Sequence, residues 1–156
     1  MKHLFLLSFF LITNLIFSQK INVKGSWTLT LKASDISLAG YDYNSFYESS
    51  NKETTIDIKP VPSSKYNKKF MRFKVYVNKE DINWDKDLKL LAKVSSTSHG
   101  NSTGTIYQEI TNYSNSFFET IGEQKKIPIQ YRIEGLSVTL PAEDYSTEII
   151  YTVLNI

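Results

Sequence analysis

From Ile127 to Ile133 every second residue is large and apolar. Ile127, Ile129, Tyr131 and Ile133 fall on one face, while Gln130, Arg132 and Glu134 fall on the other. Side chains of a β-strand point alternately to opposite faces, so this spacing demands a ribbon with one packed side and one wet side. Tyr151 and Val153 continue the same alternation from Ile149 near the carboxyl end. A two-faced ribbon is stable only when another layer covers its apolar side, and the rest of the chain must supply that layer.

The first eighteen residues have a different character. Lys2 and His3 make a short charged start, and Leu4 to Phe17 is apolar except for Ser8, Thr13 and Asn14. Ser18 follows as a small residue suited to cleavage. This layout predicts a secretory signal peptide over residues 1–18, and the apolar run is shorter than the roughly 20 residues of a membrane-spanning helix. Export to the periplasm, the cell surface or the medium is the expectation, with no membrane insertion after cleavage. Removing 18 of 156 residues leaves 138, Gln19 to Ile156, a length that suits one domain with a sizeable core.

The chain contains no cysteine. Disulfides, thiol catalysis and cysteine metal sites are therefore ruled out, and packing with sheet hydrogen bonds must hold the fold. The whole chain carries 18 basic against 16 acidic residues, and Lys2 is the leader's only charged residue of these types. The remaining 17 against 16 offers no electrostatic case for nucleic acid or for an anionic membrane.

Taken in order, Ile21 and Val23, then Trp27, Leu29 and Leu31, read as a long first strand bent at Gly25. Trp27 is expected as a core anchor. Ile56 and Ile58 mark a strand over 54–60, and Met71, Phe73, Val75 and Val77 mark another. Residues 78–87 read as a charged loop. Leu88, Leu90, Ala92 and Val94 alternate as a strand, although leucine and lysine also permit a helix over 85–94. A short strand over 105–110 turns Ile106 and Ile110 inward, and Ser137 to Leu140 reads as one more. About eight strands joined by turn-rich segments predict an all-β, antiparallel, immunoglobulin-like sandwich, with a closed barrel as the other arrangement of such strands.

The stretch from Leu140 to Val153 resembles the ending of spore coat protein U-like and pilin-like secreted domains, in which a Pro-Ala-Gly-x-Tyr turn feeds a last alternating strand. Pro141, Ala142 and Tyr145 match that turn, and Glu143 stands in the place of its glycine. Members of these families often carry disulfides, which this chain lacks. The resemblance implies a surface subunit that lends a strand to a neighbour, working as a structural, adhesive or assembly protein without cofactor or catalysis. It implies Lys20 to Leu31 as the strand lent or accepted, with Ile21, Val23, Trp27 and Leu29 as its alternating contacts. Such strand addition draws affinity from backbone hydrogen bonds and specificity from alternate side chains. The partner would be another copy or another surface protein; pairing within the same domain is the plainer use of the segment.

The remaining candidates are local. The loop Tyr41 to Glu48 interleaves aromatic and polar residues: Tyr41, Asp42, Tyr43, Asn44, Tyr47 and Glu48 could stack on and hydrogen-bond a glycan, or make rigid protein contacts. A carbohydrate-binding module is therefore the alternative function, and a plug at the end of the sandwich is the alternative use of the loop. Asp81, Asn83, Asp85 and Asp87 space oxygen ligands as calcium loops do, but Lys86 replaces the turn glycine and Ala92 the terminal glutamate. No metal ligand set is expected. Once the leader is gone His99 is the only histidine, in a polar loop where nothing fixes a catalytic geometry. Glu48, Glu109, Glu119, Glu123, Glu134 and Glu143 could pair as glycosidase carboxylates only across a cleft, which spacing cannot reveal.

Overall fold

A computed structural model describes residues 20–35, 42–60, 70–96 and 103–156. The expected signal peptide over 1–18, Tyr41, His99 and residues 61–69 lie outside these residues. Nine strands occur among them: β1 (Lys20–Lys24), β2 (Phe46–Glu48), β3 (Thr54–Lys59), β4 (Arg72–Asn83), β5 (Lys89–Val94), β6 (Gln108–Glu109), β7 (Asn115–Ile121), β8 (Gln124–Glu134) and β9 (Ser146–Asn155). They form two antiparallel sheets. The larger runs β1-β3-β8-β5-β6, with β2 also on β8, and the smaller runs β7-β4-β9. The protein is an antiparallel β-sandwich.

The alternation that opens the sequence explains where the core sits. Ile56 and Ile58 of β3, Leu90, Ala92 and Val94 of β5, and Ile127, Ile129 and Tyr131 of β8 are buried, and they share one cluster with Phe73, Val75 and Val77 of β4 and Tyr151 and Val153 of β9. Between the layers the Tyr131 and Tyr151 hydroxyls meet at 2.9 Å, so each polar tip is satisfied within the core. Trp27 stacks on Tyr131 with ring centroids 6.3 Å apart, as a core anchor should.

Several strands end elsewhere than their spacing suggests. The first strand stops at Lys24 rather than reaching Leu31, because Gly25 takes φ +116° and its Cα lies against the Glu53 carbonyl. A left-handed glycine breaks the strand instead of bending it. β4 continues through Asp81 to Asn83, where a charged loop is expected, because β9 pairs with it along that whole length. Residues 137–140 form a turn, not a strand. Only Gln108 and Glu109 of the 105–110 segment are strand; Ile110 is buried, but Ile106 is 79% exposed. Residues 89–94 are strand, which excludes the helix alternative there.

Gln130 also departs from its expected wet face, being only 6% exposed. β2 and β3 follow one another along the same edge of β8, and between them Ser49 folds onto that strand. The Gln130 amide donates to the Ser49 carbonyl at 3.1 Å, and the Ser49 hydroxyl accepts the Tyr131 N–H at 2.9 Å. A side chain thus closes the gap that a broken ladder leaves.

Candidate functional site

The outer face of the larger sheet brings charged and aromatic groups from several strands together. Register places Glu48 of β2 opposite Arg132 of β8, Leu91 of β5 opposite Arg132 on the other side, and Phe46 opposite Glu134. Alternation then turns Phe46, Glu48, Lys93, Arg132 and Glu134 outward together. The Arg132 guanidinium lies 4.3 Å from the Phe46 ring centre and 4.1 Å from that of Tyr107, within cation–π range of both. It donates to one Glu48 oxygen from Nη2 at 2.6 Å and from Nε at 3.0 Å, and Nη1 stands 3.5 Å from Glu134. Lys93 Nζ lies 4.4 Å from the Tyr107 ring centre.

These contacts set the charge states. The Arg132 hydrogen bonds hold the Glu48 carboxyl below the usual glutamate range despite its partial burial. Burial first, and then the neighbouring Glu48 carboxylate, push the Tyr107 hydroxyl up to about 12. That hydroxyl is buried with no partner in hydrogen-bonding geometry among the described residues. The face therefore offers the Glu48 carboxylate as an acceptor, the Arg132 guanidinium as a donor, and the half-exposed ring of Phe46. It can bind by stacking and hydrogen bonding.

The tyrosine-rich segment does not form one patch. Tyr41 is outside the described residues. Asp42 is spent within the fold: its carboxylate accepts from the Ser137 hydroxyl and from the Tyr43 and Val138 N–H groups, each at 2.8 Å. The Ser137 bond first, and then the two backbone bonds, hold its carboxyl below the ordinary aspartate range. Tyr43 is half-buried and Asn44 exposed. Residues 46–48 are strand rather than loop, so Tyr47 faces opposite to Glu48, and its hydroxyl is buried without a partner among the described residues. Of the candidate ligand residues that are described, only Glu48 joins the outer-face cluster. Phe46 and Tyr107 complete it around Arg132, whose outward position follows from the spacing of its strand, but only the fold brings the three together.

The residues expected along the first strand divide in the same way. Ile21 packs against the core and Val23 is exposed, both on β1, which pairs with β3 of its own chain. Trp27 and Leu29 lie beyond the strand and are half-buried.

The acidic stretch 81–87 is committed to internal bonds. Asp81 sits on β4 and binds the Lys79 ammonium; the Thr147 hydroxyl donates to it at 3.1 Å and the Asn112 amide at 3.0 Å. Burial alone would raise the Asp81 carboxyl, but these bonds outweigh it and hold the group low. The Asn83 amide donates to the Asp144 carbonyl at 2.7 Å, and an Asp85 oxygen accepts the Asp87 N–H at 2.8 Å. Among the described residues no three histidine, cysteine, aspartate or glutamate side chains gather as metal ligands.

Both Glu48 and Asp81 titrate lower in the folded chain than in the unfolded one. Each therefore contributes stability that is complete above its unfolded value, near 4.5 for Glu48 and 3.8 for Asp81, and is lost as pH falls through the lower folded value. The urea midpoint should stay level from neutrality down to about pH 5 and then drop. Glu48→Gln should lower the midpoint at neutral pH and make that acid drop shallower. A wild-type midpoint unchanged at pH 3 would contradict the assignment.

On one side of the sandwich β1 and β9 approach each other without a hydrogen-bonded ladder between them. β9 is ten residues long and, among the described residues, pairs only with β4. No known family model matches the chain, and neither a curated protein nor a solved structure matches it.

Proposed function

We propose that the chain is an exported, non-catalytic surface protein, a structural, adhesive or assembly subunit that works through an open sheet edge and the surface beside it. The observation that carries this reading is β9. Proteins that remain alone usually blunt a long edge with proline, a bulge or several charges. β9 has none of the first, a regular register over its last nine residues, and Glu148 as its only charged side chain. Its outward backbone groups form a template for an added strand. The segment 20–31 of a second copy, or a like strand of another surface protein, is the partner this edge suits.

Hydrogen exchange tests the edge directly. The β9 amides that point away from β4 should exchange fast in dilute protein. They should slow by about 100-fold or more when the protein is concentrated or a synthetic peptide of residues 20–31 is added. Unchanged exchange under both conditions would end the edge reading. Carbohydrate binding has its own support in the exposed Phe46 ring beside Glu48, Arg132 and Glu134. Glycan retention lost in a folded Phe46→Ala variant would favour it, and no retention by the wild type on a broad glycan panel would remove it.

A further inference from the structure

The outer face of the smaller sheet separates its charges along the strand direction. Arg72, Lys74, Tyr76, Asn78 and Glu80 of β4 alternate outward. On β9 the register sets Leu154 beside Lys74, Thr152 beside Tyr76, Ile150 beside Asn78 and Glu148 beside Glu80. On β7 it sets Ile121 beside Arg72 and Glu119 beside Lys74. Among the described side chains Arg72 and Lys74 share the carboxylate of Glu119, at 3.9 and 3.4 Å, which leaves these three with one positive charge in excess.

Glu80 and Glu148 sit directly opposite one another at the far end, both exposed, with no ion-pair partner among the described residues. Like charges facing across an antiparallel pair destabilise it, so a lone copy gains nothing from this arrangement. Apolar surface accompanies the charge: Ile121 is 48% exposed, Leu154 47% and Ile156 56%, with Tyr76 and Ile150 half-exposed between the two ends.

We propose that two copies of the chain pack face to face through this sheet, related by a two-fold axis that crosses the strands at Tyr76. That rotation reverses the strands and lays the basic end of each copy over the acidic end of the other. Arg72 then opposes Glu80, Leu154 opposes Ile150, and the two Tyr76 rings meet at the axis. The occupant is a second copy because the face carries its own complement, each end matching the opposite end of the same surface. A two-fold contact of this kind is self-complementary and closed.

The area sets the strength. Three strands about 4.8 Å apart and about 30 Å long offer roughly 450 Å² per copy, below a standard interface, so association should be weak. The contact uses side chains on a face rather than backbone groups on the β9 edge, so either one can fail without the other.

Sedimentation velocity on protein purified from expression of the full chain, from about 10 μM to 1 mM, is the test. The wild type should form a dimer that weakens with added salt. Arg72→Glu and Glu80→Arg should each weaken it by about tenfold or more, because each sets like charges together twice. An equimolar mixture of the two variants should dimerise again, since Glu at 72 then meets Arg at 80 in one contact and the native Glu80 meets Arg72 in the other. Glu148→Lys, at another exposed position, provides a second weakening variant that does not touch the Glu119 pair. A wild type that stays monomeric over this range, variants that associate as the wild type does, or a mixture that fails to recover would each overturn the proposal.

Discussion

Phe118→Ala should lower the unfolding free energy by about 3–5 kcal/mol, the cost of emptying a large aromatic site in a closed core. Phe117 and Phe118 are adjacent in sequence, and a regular strand would turn one of them to solvent. The ladder between β4 and β7 shifts register between Val75 and Tyr76, so Val75 pairs with Phe118 and Tyr76 with Ser116, leaving Phe117 as the extra residue. That bulge turns both rings into the core, 2% and 1% exposed, with centroids 5.3 Å apart in an edge-to-face arrangement. The chain has no disulfide to offset the loss, and a domain of this size has only about 5–15 kcal/mol to spare. Urea unfolding followed by circular dichroism measures the effect, with Phe46→Ala as a surface comparison expected to cost about 1 kcal/mol or less. A Phe118→Ala loss no greater than that of Phe46→Ala would mean that the 115–121 strand does not seal the core.

Gly135→Ala should be nearly as damaging, at about 2–4 kcal/mol, although it adds a single methyl group. Gly135 takes φ +87°, and a Cβ there would stand 2.1 Å from the Asp87 carbonyl oxygen. Backbone cannot step aside as a flexible side chain can. The residue follows β8 directly, where Glu134 pairs with Lys89, so the turn that leads into β5 rests on the bare Cα of residue 135. The strain should appear first in that turn. The Trp84 indole donates to the Leu88 carbonyl at 3.0 Å, and the Leu88 N–H to the Asp85 carbonyl at 3.1 Å. Trp84 fluorescence should therefore shift at lower urea than the global transition in the variant. A variant with the wild-type midpoint and no such early change would show that the 85–88 turn does not need the close approach.

Legibility followed distance along the chain. The inward faces of β3, β4, β5 and β8 could be read because period two is a local property, and Phe73, Ile56, Leu90 and Ile129 are buried as that period requires. The same rule failed at Gln130, whose outward position is covered by Ser49, a residue 81 positions away. It failed again at Phe117, where a bulge reverses one face. Glu48 was named within a loop for what its side chain could bind; it lies on a strand and binds Arg132. The tyrosines around it scatter because a strand, once begun at Phe46, must turn Tyr47 and Glu48 to opposite sides.

What the amino-acid order determined alone is the class of fold: an all-β, two-faced chain without cysteine, punctuated by turn residues. What only the tertiary structure decided is which strands are neighbours and in what register. That choice placed Arg132 between Phe46 and Tyr107, paired β9 with β4, and set Glu80 against Glu148. The physical reason is that alternation is dictated by each residue's own backbone. Pairing instead is settled by the competition of whole strands for a shared core, whose terms lie tens of residues apart.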